Sequence, residues 1–403
     1  MPTGPAAVPT PDGLQTKAGH YVQKLKATFE NSEVNNYWRC GNAASSLLDY
    51  FLLGGKVTSP DFITAKHQWF EETYHQWFNE TGNLWFDDYL WWTIAALKSR
   101  TDRFHAPWDH IFEITWANAQ PALSVWKDAV RKYGKFQEYE PRFTPGVWNA
   151  RWSEYGPWKE IEEKNGKKTI KDNALLGIQN AVVNLLYLYA AARSQNFIQK
   201  ALAEYSFLTS WFNDTPVADS MLHRFTSPSN EACVLVHERV STFHNGVPDP
   251  NYKTYSQFFW TGDQGLLLGS AMRLMGLSQA PAPVKTTCHD LALAVIRGVK
   301  QELVKKGELQ PYTQGQSIPQ DDVQDYNSGS GVFLRYVLEA WLAWPELKAE
   351  LHRNGFDSLV LSMAGLAPDP PLSPSDDLND CINPWTNHLA TLLAAIAILK
   401  SPA

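Results

Sequence analysis

The sequence predicts an all-α fold in which helix hairpins close into a ring, the (α/α)6 barrel or six-hairpin toroid. Three observations predict it. Apolar residues recur at spacings of three and four along most of the chain, strand-like runs are scarce, and Gly-, Trp- or Asp-rich turns precede several of the roughly dozen helical segments. Helices in pairs, joined by such turns, stack side by side and need partners to bury their faces.

The elements follow in order. Residues 1–15 are rich in Pro, Ala and Thr and read as a disordered leader without the apolar core of a secretory signal. The first helix is expected over 18–29, where Val22, Leu25 and Phe29 share a face. A second spans 38–53 and stops at Gly54-Gly55, and a third spans 62–78. The fourth opens on Trp85-Phe86-Asp87-Asp88-Tyr89-Leu90-Trp91-Trp92, after a turn at Thr81-Gly82-Asn83, and runs to about Leu97. A helix over 109–133 is broken or kinked at Pro121. The stretch 141–172 reads as an irregular aromatic loop, too long for an idle connection. Helices are expected over 173–193 and 196–211, and a short hairpin around Val234-Leu235-Val236. Further helices cover 258–275, 286–305, 326–341 and 387–399, with a Pro/Ser-rich loop at 368–376. No composition shift divides residues 16–403, which read as one catalytic domain.

Composition narrows the function. A formal charge of −7 argues against nucleic acid, since phosphate binding needs a basic surface. No run of about 18 apolar residues is expected to span a membrane. With no export signal in view, the chain reads as intracellular unless it is the mature part of a secreted protein. A monomer is expected. Cys40, Cys233, Cys288 and Cys381 are far apart in sequence and form no CxxC pair, so they read as buried free thiols, with no metal site and no cofactor. The seventeen Trp exceed what a core needs. An indole offers a flat apolar face with one donor, the complement of a sugar ring.

Asp87-Asp88 is the first candidate site. At a helix start, mutual repulsion raises one carboxyl pKa while the helix N-terminus favours the other as an anion. One acid and one anion are what glycoside hydrolysis requires. The alternative is a helix cap followed by a favourable first-turn acid, and on the residues alone both readings stand. A second candidate is Thr261-Gly262-Asp263-Gln264-Gly265, after Trp260, where Asp263 and Gln264 could bind hydroxyls or cap the helix. The acidic run Asp321-Asp322 with Asp325 lacks EF-hand spacing. His237-Glu238 is not part of HExxH, and no GxSxG, P-loop or GxGxxG is present.

Taken together, the motifs resemble glycoside hydrolase family 76, the α-1,6-mannanase family. Trp85 to Trp92 is similar to its W-Y-D-D-x-x-W-W signature, and Gln179-Asn180-Ala181-Val182-Val183-Asn184-Leu185-Leu186 to its K-N-A-x-x-N-x-L helix. Thr261 to Gly265 stands where the family has Y-N-Q-G, and Gly331-Val332-Phe333-Leu334-Arg335-Tyr336 is similar to K-G-I-F-x-R-Y. The chain departs from the pattern at Gln179, Asp263 and Ser330. The resemblance implies an (α/α)6 barrel and a retaining glycoside hydrolase or transglycosylase on an α-1,6-mannan-like or other α-mannoside substrate. By it, Asp87 is the nucleophile and Asp88 the general acid/base. Trp85, Trp91, Trp92, Trp148, Asn180, Asn184, Trp260, Asp263 and Gln264 are then expected to bind the sugar. An epimerase or lyase using His237 or His244 on the same toroid, and a carbohydrate-binding protein without catalysis, are the alternatives.

Overall fold

A computed structural model describes residues 9–56, 59–81, 84–99, 105–125, 146–151, 159–164, 167–172, 178–193, 195–213, 222–241, 243–244, 247–248, 254–255, 258–313, 320–370 and 377–403. The first half of the helices are α1 (Pro11–Phe29), α2 (Tyr37–Leu52), α3 (Asp61–Thr81), α4 (Phe86–Ser99), α5 (His105–Ala119), α6 (Ala181–Ala192) and α7 (Ile198–Asn213). The second half are α8 (Thr261–Gly276), α9 (Ala282–Glu302), α10 (Gln320–Tyr326), α11 (Gly329–Ala343), α12 (Pro345–Arg353), α13 (Phe356–Leu366) and α14 (Leu378–Lys400).

Six of them close a ring. α2 packs on α4, α4 on α6, α6 on α8, α8 on α11, α11 on α14, and α14 returns to α2. Their sequences explain the position: α6 is buried along nearly its whole length, and α14 buries residues on every side. A helix apolar all round needs neighbours all round. The other helices form an outer layer. α1 lies against α14, α3 against α1 and α5, α5 against α4, α7 against α6, α9 against α8, and the α12–α13 pair against α11 and α14. Because inner and outer helices alternate along the chain, the inner six run parallel. Cross-contacts keep step accordingly: Asn42 of α2 meets Arg335 of α11, and Leu185 of α6 meets Ser270 of α8. The six inner N-termini therefore share one rim. At the opposite rim, Lys98 pairs with Asp49 at 2.6 Å, and Arg273 pairs with Glu339, which also accepts from the Tyr189 hydroxyl at 2.9 Å. Cations there face the carbonyl ends of the helices.

α4 and α2 approach closely. A Cβ on Gly41 would stand 2.8 Å from Trp92 Cδ1 and 3.0 Å from Trp91 Cβ, so only glycine lets the two inner helices meet there.

The all-α, (α/α)6 expectation agrees with this architecture, and several boundaries move. α1 starts at Pro11, inside the stretch expected to be disordered, because Thr10 caps it by accepting from Gly13 N and Pro11 fits the first helical position. Residues 1–8 lie outside the described residues. The irregular stretch 141–172 contains an antiparallel hairpin, β3 (Lys159–Lys164) with β4 (Lys167–Asp172), and a short strand β2 (Ala150–Arg151) that pairs with β1 (Leu84–Trp85). β5 (Ile178–Asn180) precedes α6, which starts later than expected. The hairpin around Val234 is present as β6 (Leu222–Thr226) with β7 (Ala232–Val236). The helix expected over 326–341 is present as α11, which starts at Gly329; α10 before it and α12 and α13 after it are additional. α14 extends through Pro384 and starts at Leu378. By length and composition α14 could cross a membrane, and 78% of its apolar window is buried inside the fold. All four cysteines are buried and unbridged.

Candidate active site

The start of α4 is fixed from outside the helix. The N–H of Phe86, a first-turn donor with no partner in its own helix, donates to the Asn149 carbonyl at 2.8 Å. Trp85 pairs with Ala150 beside it. The segment carrying Asn149 is itself clamped by Asn184 of α6. The Asn184 side chain accepts from Val147 N at 2.8 Å and donates to Val147 O at 3.0 Å and to Asn180 O at 2.8 Å. Asn180 in turn caps α6, its side chain accepting from Val183 N at 3.0 Å. A chain of hydrogen bonds thus runs from the first turn of α6 to the first turn of α4.

Asp87 and Asp88 occupy that first turn of α4. Asp87 is half-buried and Asp88 only 7% exposed. Burial pushes the Asp88 carboxyl well above the usual carboxylate range, and the charges of Asp87 and then Asp325 add to it. Burial and the nearby Asp88 also raise the Tyr89 phenol. The pair therefore holds two unlike carboxyls: one driven towards its protonated form and one with more access to solvent.

Across the rim, Arg39 in the first turn of α2 grips Asp325 of α10, with Nε to Oδ1 at 2.8 Å and Nη2 to Oδ1 at 2.6 Å. Its Nη1 donates to the Asn379 carbonyl at 3.0 Å and approaches Asp380 Oδ1 at 3.5 Å, both on α14. The Tyr326 hydroxyl donates to Glu238 at 3.0 Å, and Trp260 Nε1 donates to the Tyr326 carbonyl at 2.8 Å. The Trp260 indole folds back over the start of its own helix, where a Cβ on Gly262 would lie 2.4 Å from it.

The residues expected to bind sugar fall into two groups. Trp85 is half-buried beside Asp87. Trp91, Trp92, Trp148 and Trp260 are buried, and Trp92 is fixed by donating to the Tyr37 carbonyl at 2.9 Å. Asn180, Asn184 and Gln264 are buried with their amides on backbone groups, Gln264 holding both N–H and C=O of Val236. Asp263 is fully buried in the first turn of α8. His237 packs on Phe259, ring centres 4.6 Å apart, and the His244 side chain lies outside the described residues, as do those of Asp321 and Asp322. The sequence motifs do not mark Arg39 or Tyr326; Glu238 enters there only beside His237, outside any HExxH pattern, and Asp325 only as part of a metal loop. The usable signal was position: Arg39 lies in the first turn of an inner helix, and Asp325 and Tyr326 lie just before the start of another. Among the described residues, no group of three or more His, Cys, Asp or Glu side chains could hold a metal ion.

Fold and rim together define a six-hairpin toroid with paired carboxyls at the start of one inner helix. Solved structures share that architecture. The α-1,6-mannanase GH76A of Salegentibacter sp. HEL1_6 matches with a TM-score of 0.61 and 15% identity over 95% of this chain and 98% of that one. An inactive variant of it, with two consecutive aspartates exchanged for alanine and α-1,6-mannotetrose bound, gives 0.63 and 15% over 96% and 99%. Dfg5 from Chaetomium thermophilum, in complex with glucosamine, gives 0.63 and 13% over 97% and 92%. The fold is that of family 76 glycoside hydrolases. No family model matches the sequence, and no curated protein does.

Proposed function

We propose that the chain is a divergent family 76 enzyme, a retaining glycoside hydrolase or transglycosylase acting on an α-mannoside, with α-1,6-linked mannan as the leading substrate class. The observation that carries this reading is the unlike carboxyl pair at the start of α4, with Asp88 buried and pushed towards its protonated form beside the more open Asp87. In the proposed reaction Asp87 attacks the anomeric carbon while Asp88 protonates the departing glycosidic oxygen. Asp88 then takes a proton from water, or from a sugar hydroxyl, which displaces Asp87 and restores the anomeric configuration. The inactive double-aspartate variants of the Salegentibacter mannanase, solved with mannotriose and mannotetrose, support a carboxylate pair as the chemical centre of this fold. In this reading Trp85 offers an aromatic face to the sugar, and Asn180, Asn184 and Gln264 position the walls without touching substrate.

The test is turnover by the purified protein on activated α- and β-glycosides, on α-1,6-mannan, and on glucosamine-capped mannosides as a second panel. Release of mannose or mannooligosaccharides with retained configuration is the expected result. Inverted products, or turnover of β-glycosides alone, would refute the mechanism or the substrate class.

A further inference from the structure

Arg335 is an interior cation that the ion pairs of the barrel leave out. Lys98 is matched by Asp49 and Arg273 by Glu339. Among the described residues no carboxylate lies within ion-pair distance of Arg335, although its side chain is only 4% exposed. We propose that Arg335, with Asn42, Ser45 and Ser46, holds one small monovalent anion of the halide kind inside the barrel.

The contacts of Arg335 place its guanidinium in the lumen. In the ring of six, α11 stands opposite α4, and α14 separates it from α2. Arg335 nevertheless reaches both. Its Nη1 donates to the Asn42 carbonyl of α2 at 2.8 Å, and its Cζ lies 5.6 Å from the centre of the Trp91 ring of α4. A side chain that reaches the opposite stave crosses the inside of the ring. There Nη2 is shut off from solvent and has no hydrogen-bond partner among the described residues.

The wall it meets on α2 is polar. Asn42, Ser45, Ser46 and Asp49 recur at spacings of three and four, so they share one face of that helix. Side chains three and four residues on flank a helical carbonyl, so the group bonded to Asn42 O lies beside Ser45 and Ser46. Both hydroxyls are buried without a partner, and neither makes the usual return bond to the backbone one turn earlier. Both ends of the Asn42 amide are equally unpartnered. Asp49, next on the stripe, is engaged by Lys98 at 2.6 Å. Arg193, at the end of α6, is a further cation with a buried, unpartnered Nη1, so no surplus of negative charge stands by to balance Arg335. Nη2, two hydroxyls and one amide nitrogen are thus donors in search of an acceptor, with a positive charge among them. Water would satisfy the hydrogen bonds and leave the charge unpaired. An anion on the guanidinium answers both needs.

The experiment uses the full chain, purified without halide in sodium gluconate. Thermal melts follow added sodium chloride or bromide at constant ionic strength, and bromide is located in crystals by its anomalous scattering. Tm is expected to rise along a saturating curve, by roughly 3–5 °C at a hundredfold excess over Kd. One bromide peak is expected in contact with Arg335 Nη2. Arg335→Met should abolish the halide-dependent rise. The double variant Ser45→Ala, Ser46→Ala keeps the charge and changes less, so it reports even where Arg335→Met fails to fold. It is expected to move the midpoint of the halide curve at least tenfold towards higher concentration. Halide-independent melting, bromide on the surface only with water at Nη2, or an unchanged halide response in the serine variant would each overturn the inference. None of these readouts uses a glycoside, so they stand apart from the proposed reaction.

Discussion

The Gln264 amide of α8 closes a ring of hydrogen bonds with Val236 of β7, accepting from its N–H at 2.8 Å and donating to its C=O at 2.8 Å, while also donating to Trp260 O at 3.0 Å. Both amide hydrogens are thereby committed to backbone, and the residue is fully buried. Gln264→Leu would strand a buried N–H and two carbonyls. Each such orphan costs about 1–3 kcal/mol, so a clear fall in Tm is expected, with KM little changed in whatever folds. A raised KM at unchanged Tm would show instead that the amide meets the sugar.

Asn184 acts at greater distance. Its side chain holds Val147, whose segment holds Phe86 and with it the turn of the aspartate pair. Asn184→Ala is expected to lower kcat at least tenfold with KM nearly constant, because the reacting groups shift while the sugar walls stay. It also leaves buried backbone groups at Val147 unpaired, about 1–3 kcal/mol each. Steady-state kinetics alongside thermal melts separate the two effects.

Trp85 and Trp92 should part company. Trp92 is fully buried, and truncating it to alanine is expected to destabilise by about 3–5 kcal/mol. Trp85 keeps an open face beside Asp87. Trp85→Ala is expected to raise KM by roughly tenfold, the loss of about 1.4 kcal/mol of ring contact, with a smaller change in Tm. A reversed pattern would place the sugar elsewhere.

Asp87→Asn and Asp88→Asn are each expected to reduce turnover by at least a thousandfold, measured on an activated mannoside. Asp88→Asn should also stabilise the protein near neutral pH. Burial raises the Asp88 pKa in the folded state, so the proton it holds contributes stability that is fully present below the ordinary carboxylate pKa and lost as pH rises through the raised value. Asparagine carries no such loss. The Tm gain, about 1–2 °C for a chain of this size, should therefore shrink towards zero as pH falls below about 4. A gain that stayed constant with pH would not come from this carboxyl.

The inner helices were legible because buried staves leave long apolar patterns, as in Ala181–Ala192. Short outer elements were not. α12 and α13 are brief, separated by Gly355 at φ 72°, and too short for a window of helical periodicity to register. The β3–β4 hairpin hid behind its charges: Lys and Glu dominate β3 and Lys dominates β4, so no apolar alternation marks them, although Asn165-Gly166 lies between them in the sequence. The aspartate pair could be read because its members are adjacent. Arg39 and Asp325 lie 286 positions apart, and only closure of the ring brings them together. Indole count pointed to sugar, while burial shows that most of the tryptophans singled out serve the core.

That closure sets an order of assembly. A chain growing from its N-terminus makes Arg39 early and reaches Asp325, Asn379 and Asp380 late. Until α14 emerges and settles between α11 and α2, the guanidinium lacks Asn379 and Asp380 and the ring stays open. Fragments of the toroid are thus arcs without a closed rim.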